Sequence, residues 1–144
     1  MKKFLLLLLC FSIASAAVAA NPIKGVKNLF KREPKNRVVW SIAEGLKAPE
    51  SAYVDPVSGF LFLSQIGEGG GKGKDGDGWI SKLSVEGKMI KNKWVTGLDA
   101  PKGLRSHGKL LWVSDIDQIA AIDIAGGTIL QRVPIKGARF LNDL

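Results

Sequence analysis

Glu50 stands directly after Pro49 and directly ahead of the β-prone run Ser51-Ala52-Tyr53-Val54. A carboxylate is costly to bury unpaired, so a glutamate opening an inner strand calls for a cation or an arginine beside it; a solvated turn is the alternative. The same place in a second copy of the surrounding segment holds Lys102, and in the start of a third it holds Asn142. Three different polar residues at one repeated position can converge on a common axis and build a site there. Two other stretches have residue types suited to chemistry. His107 lies in the predicted turn Ser106-His107-Gly108, but it is the only histidine, and Cys10, the only cysteine, sits far upstream. Neither a zinc site nor a nucleophile–histidine pair can be completed, so His107 reads as a surface turn residue.

The run from Gly67 to Gly78 (Gly67-Glu68-Gly69-Gly70-Gly71-Lys72-Gly73-Lys74-Asp75-Gly76-Asp77-Gly78) fails as a phosphate cradle. The glycine spacing ahead of a Gly-Lys pair is wrong, Asp75 stands where a Ser or Thr would meet magnesium, and no helix follows. As a calcium loop it is half right. Asp75 and Asp77 suit loop positions three and five and Gly78 the sharp turn, but positions one and twelve fall on Gly73 and Ser84. A flexible glycine-rich insertion is the expected reading, with a weak cation site as its rival.

The elements that must position these residues repeat. Gly45-Leu46-Lys47-Ala48-Pro49 recurs as Gly97-Leu98-Asp99-Ala100-Pro101 after 52 residues, and Gly137-Ala138-Arg139 echoes its start 40 residues later. In the first unit, strands are predicted at 51–54, 60–64, 79–85 and 89–95, and in the second at 102–105, 109–114, 118–124 and 128–133. Turn formers separate them at Asp55-Pro56, Glu86-Gly87 and Ala125-Gly126-Gly127. Phe60-Leu61-Phe62-Leu63-Ser64 is a continuous apolar run, as for a strand buried on both faces. Val38-Val39-Trp40-Ser41-Ile42-Ala43 also suits a strand. The copies align Leu63-Ser64 with Val113-Ser114, Leu83 with Ile122, Gly87 with Gly126 and Ile90 with Ile129. Four short strands per unit and a period near 40 predict an all-β propeller: two blades and the opening of a third over residues 37–144. Blades bury their faces against neighbours, so the natural object is expected to hold more of them, this chain being an N-terminal piece.

Ahead of the repeats, Lys2-Lys3, the apolar run Phe4–Ile13 and the small residues Ser15–Ala20 form the tripartite pattern of a secretory signal peptide over 1–20. The apolar core falls short of the ~20 residues of a membrane span, so the mature protein is expected in the periplasm or secreted, with no stable span. A basic linker follows over 21–36. The formal charge of +8 belongs to these leaders: from Ser41 to Leu144 there are 13 basic and 12 acidic residues. Without cations interleaved with aromatics on the domain, nucleic acid is not an expected partner.

Pro49-Glu50-Ser51-Ala52-Tyr53-Val54-Asp55, followed by Gly59-Phe60-Leu61-Phe62-Leu63-Ser64-Gln65-Ile66, resembles the opening of the regucalcin and gluconolactonase family, and Leu141-Asn142-Asp143-Leu144 resembles the Asn-Asp motif of a later blade. The wider class of NHL-like propellers shares the turn pattern. The resemblance implies a six-bladed propeller, one divalent cation (calcium or zinc) at its axis, and hydrolysis of sugar lactones. It makes Glu50 a metal ligand and Asn142 a contact to substrate or metal-bound water. Arg139 resembles the family's substrate-binding arginine, within a motif one residue longer than usual. The implied chemistry is polarisation of the lactone carbonyl and activation of a water. No activity is expected of these residues alone, since one ligand cannot hold a catalytic cation. The alternative is a non-catalytic NHL-like propeller that binds a ligand or protein partner.

Overall fold

Turn chemistry divides the apolar runs into eight strands. In the computed structural model these are β1 (Pro49–Val54), β2 (Phe60–Gln65), β3 (Gly78–Ser84), β4 (Met89–Leu98), β5 (Pro101–His107), β6 (Leu110–Asp115), β7 (Gln118–Asp123) and β8 (Ile129–Pro134). The structure describes residues 37–144; the expected signal peptide (1–20) and basic linker (21–36) lie outside the described residues. Each copy of the repeat folds on itself as a four-stranded antiparallel meander, β1-β2-β3-β4 and β5-β6-β7-β8. The turns show why. Asp55 closes the first, its carboxylate accepting from Ser58 N at 2.7 Å while its own N–H donates to Phe60 O at 2.9 Å. Asp123 does the same after β7, accepting from Gly126 N at 2.7 Å.

Register decides which side chains meet. Phe62 pairs with Lys82 and Ser64 with Ile80, so one face of the first sheet presents Phe60, Phe62, Ile80 and Lys82. In the second sheet Leu111 pairs with Ile122 and Val113 with Ala120. These two faces pack together into a core of Phe62, Ile80, Trp94, Val95, Leu98, Leu104, Leu111, Val113, Ala120, Ile122 and Ile124. Phe62 stacks on Trp94 with ring centroids 4.8 Å apart. The inner strands β1 and β5 meet through Tyr53 and Ser106, whose hydroxyls lie 2.9 Å apart, and Ser106 Oγ donates to Asp55 at 2.6 Å. Two consecutive four-stranded sheets, stacked face to face with their first strands adjacent, are two propeller blades. Among the described residues there is no α-helix, and none long and apolar enough to cross a membrane.

Two sequence expectations are corrected. Val38–Ala43 forms no strand. Trp40 instead docks on the β3–β4 turn, its Nε1 donating to Val85 O at 2.9 Å and its ring resting on Gly87, while Val38 and Val39 point into solvent. The run is held by one side chain rather than by strand pairing. The repeat also slips by one residue after β7: Leu83 pairs with Met89 and Ile122 with Ile129, so Met89 is the counterpart of Ile129. The left-handed turn glycines are correspondingly Gly87 (φ 87°) and Gly127 (φ 72°), not Gly126.

The meander gives each blade two ends. Residues 66–77, 99–100 and 116–117 gather with the starts of β1 and β5 at the loop end; the tight β1–β2, β3–β4, β5–β6 and β7–β8 turns lie at the turn end.

Candidate functional site

At the loop end the repeat puts Glu50 and Lys102 at the second position of β1 and of β5. Their environments differ sharply. Glu50 is exposed, and its carboxylate accepts from the neighbouring Ser51 Oγ at 2.6 Å. Lys102 is 1% exposed. Its ammonium donates to Ala100 O at 2.9 Å and Gly71 O at 3.2 Å and lies 4.5 Å from the centre of the Phe140 ring. Burial lowers its pKa below the usual lysine value, while the negative charges of Asp115 and then Glu50 pull it back upward.

A buried acid anchors this end. Asp115 is fully buried and accepts from Ala100 N at 2.7 Å and Asp99 N at 3.0 Å. Gln65 fills the same place in the first blade, accepting from Lys47 N at 2.6 Å. Each blade thus uses the last residue of its second strand to clasp the chain entering its first. Paired backbone N–H groups on a carboxylate fix the path into β5 and so the position of Lys102.

The glycine-rich segment is not a free insertion; it bridges the blades. Gly76 N donates to Asp99 at 3.1 Å, Lys74 ion-pairs with Asp117, and Gly71 O receives the Lys102 ammonium. Within the segment Asp77 accepts from Glu68 N at 2.7 Å and Gly69 N at 3.1 Å, hydrogen bonds that hold its pKa down against some burial. The remaining Asp77 oxygen is buried without a hydrogen-bond partner and faces the α-carbon of Gly67, where a side chain could not fit.

Asn142 is placed by its backbone. Its carbonyl accepts from Gly103 N at 2.7 Å and Ser114 Oγ at 2.6 Å, and its exposed side chain is left for other contacts. Gly103 allows this approach, since a Cβ there would lie 2.6 Å from that carbonyl. Arg139 is exposed and is not drawn into the cluster, whereas its neighbour Phe140 caps Lys102. The structure therefore brings Glu50, Lys102 and the Asn142 backbone to one end of adjoining inner strands. His107 ends β5 at the opposite end, exposed.

Among the described residues, no three His, Cys, Asp or Glu side chains converge as metal ligands. Glu50 is a single carboxylate with an ammonium in its field, and these residues by themselves do not fit a divalent cation. Sequence reasoning aligned Lys102 with Glu50 but missed Asp115, Gly71 and Phe140. The Gln65–Asp115 alignment was the available signal for the clasp; the contacts of Gly71 and Phe140 depend on packing between distant segments.

No family model matches the chain, and neither does any curated protein. The regucalcin and gluconolactonase resemblance thus rests on its short motifs. Among solved structures the chain is similar to a chain in the crystal structure of a nidogen/laminin complex, at 18% identity and a TM-score of 0.36, over 74% of this chain and 54% of that one. A likeness that distant adds nothing to what the strand topology already shows.

Proposed function

We propose that the two blades form part of a propeller whose loop end binds a small polar, sugar-like ligand without catalysis. The observation that carries this reading is the repeated position itself: an exposed carboxylate (Glu50), a buried ammonium (Lys102) and an exposed amide (Asn142) at one end of the inner strands. Lys102 supplies a fixed positive charge next to Glu50 from within the chain. Glu50 and the Asn142 amide remain free to accept and donate to hydroxyls, which is how polar groups orient a ligand in a propeller mouth.

Lactone hydrolysis is the second reading, favoured by the free carboxylate of Glu50 and by the family resemblance. It requires a divalent cation, calcium or zinc, with ligands from further blades beside Glu50, and it makes Arg139 and Asn142 substrate contacts. The leader pattern supports an activity in the periplasm or outside the cell; a mature protein beginning near Asn21 by N-terminal sequencing is the expected result.

One experiment separates the readings. Gluconolactone and gluconate are titrated into the full chain by NMR, and lactone turnover is followed with and without EDTA. Binding without turnover, unaffected by EDTA and weakened about tenfold by Glu50→Gln, is expected from loss of one charge-assisted contact. Turnover abolished by EDTA and by Glu50→Gln would establish the hydrolase instead. No shift with either sugar would end the binding reading.

A further inference from the structure

At the turn end, opposite the Glu50 cluster, the blades part in an open cleft of about 420 Å³. Its walls come from the β1–β2 turn (Val57, Ser58), Phe60, the β5–β6 turn (Lys109) and the segment Ile124-Ala125. A volume of this size lies within the ~300–1,000 Å³ of small-ligand clefts. The lining is largely apolar, and one cation reaches into it from β3. The Lys82 ammonium lies 3.8 Å from the centre of the Phe60 ring and 5.4 Å from that of Trp94. The rings fix the head group in place.

Among the described residues Lys82 forms no ion pair. The ion pairs among the described residues are Lys47–Glu68 and Lys74–Asp117, both elsewhere. Asp55 also lines the cleft; its fully buried carboxylate accepts from Ser58 N and Ser106 Oγ and forms no ion pair with Lys82. Lys109 adds a second positive charge at the cleft edge.

We propose that this cleft binds an amphipathic carboxylate, its head group on Lys82 and its aliphatic body along Phe60, Val57 and Ile124. The cations select the charge, and the apolar walls select the tail. This site lies at the other end of the blades from the sugar-like ligand and is independent of it.

The test uses the full chain and three probes, each with a ten-carbon chain: decanoate, decanol and decyltrimethylammonium, each followed by tryptophan fluorescence and NMR shifts. Decanoate is expected to bind saturably, at least tenfold more tightly than decanol, with the cationic probe weakest. Lys82→Gln removes the charge-assisted contact and is expected to weaken decanoate about tenfold while leaving decanol unchanged. Lys82→Arg should retain binding, and Ala125→Trp, which fills the cleft from its exposed edge, should weaken decanoate and decanol alike. Equal affinity for decanoate and decanol would overturn the proposal, as would an unaltered Lys82→Gln or the absence of saturable decanoate binding. The comparison of probes on the unmodified chain decides the matter even if a variant fails to fold.

Discussion

Lys102 and Asp55 are both buried ionisable groups, and their surroundings shift them to opposite effect. Burial lowers the Lys102 pKa, against the pull of Asp115 and Glu50, so between its folded and unfolded values the unfolded chain binds more protons. Stability then rises with pH across that window, which ends near the ordinary lysine value of 10.5. Urea midpoints measured from pH 7 to 10.5 should climb more steeply for the native chain than for Lys102→Met; parallel profiles would show that Lys102 keeps its usual pKa. For Asp55, burial opposes ionisation, but hydrogen bonds from Ser106 and Ser58 outweigh it and hold the pKa below 3.8. The stability this confers is present above the unfolded value and is lost as pH falls through the folded one. Ser106→Ala should therefore cost about 1–3 kcal/mol at neutral pH, the penalty of an under-satisfied buried acceptor. Acid unfolding should also begin at higher pH in this variant, and equal acid midpoints would refute the assignment. Neither effect was legible in the sequence. Asp55 read as a turn former and Lys102 as the counterpart of Glu50, because burial depends on partners more than 30 residues away: Gly71 for Lys102 and Ser106 for Asp55.

The eight strands were legible because alternation and apolar runs act locally and the turn residues mark where each ends. What escaped depends on neighbours. Val38–Ala43 has strand propensity but only the Trp40 anchor, and the glycine-rich segment looked like a free loop until Asp99, Asp117 and Lys102 came within its reach. The one-residue slip at the β7–β8 turn shows the same limit, since two adjacent glycines leave open which one takes the left-handed conformation. The structure assigns it to Gly127, where a Cβ would also lie 2.8 Å from the Trp94 ring. Gly108 has φ 60° but open space around its Cβ position. Gly108→Ala should thus cost only the backbone strain, about 1–2 kcal/mol. Gly127→Ala should cost clearly more and disturb Trp94 fluorescence. Equal losses by chemical denaturation would mean that the β7–β8 turn shifts away from Trp94.

The two blades turn equivalent positions to different surroundings. By strand register Phe62 and Trp112 are counterparts, Phe62 pairing with Tyr53 and Lys82, and Trp112 with Arg105 and Ala121. Phe62 faces the second blade and is fully buried against Trp94, whereas Trp112 lies on the far face of that blade, half-buried, with no other sheet of the described residues against it. Leu61 and Leu63 are likewise half-buried on the outward face of the first blade. Two blades close no ring, so each retains one apolar face that a neighbouring blade would cover. Phe62→Ala should cost about 3–5 kcal/mol, the loss for a buried aromatic that leaves a cavity. Trp112→Ala should cost about 1–2 kcal/mol, because the ring leaves water only in part. Denaturation of the full chain at low micromolar concentration measures both. A Trp112→Ala loss matching that of Phe62→Ala would mean that the far face is covered in solution. Repeating the titration at tenfold higher protein concentration then identifies the cover, because a second copy makes the Trp112 loss depend on concentration and an intramolecular contact does not.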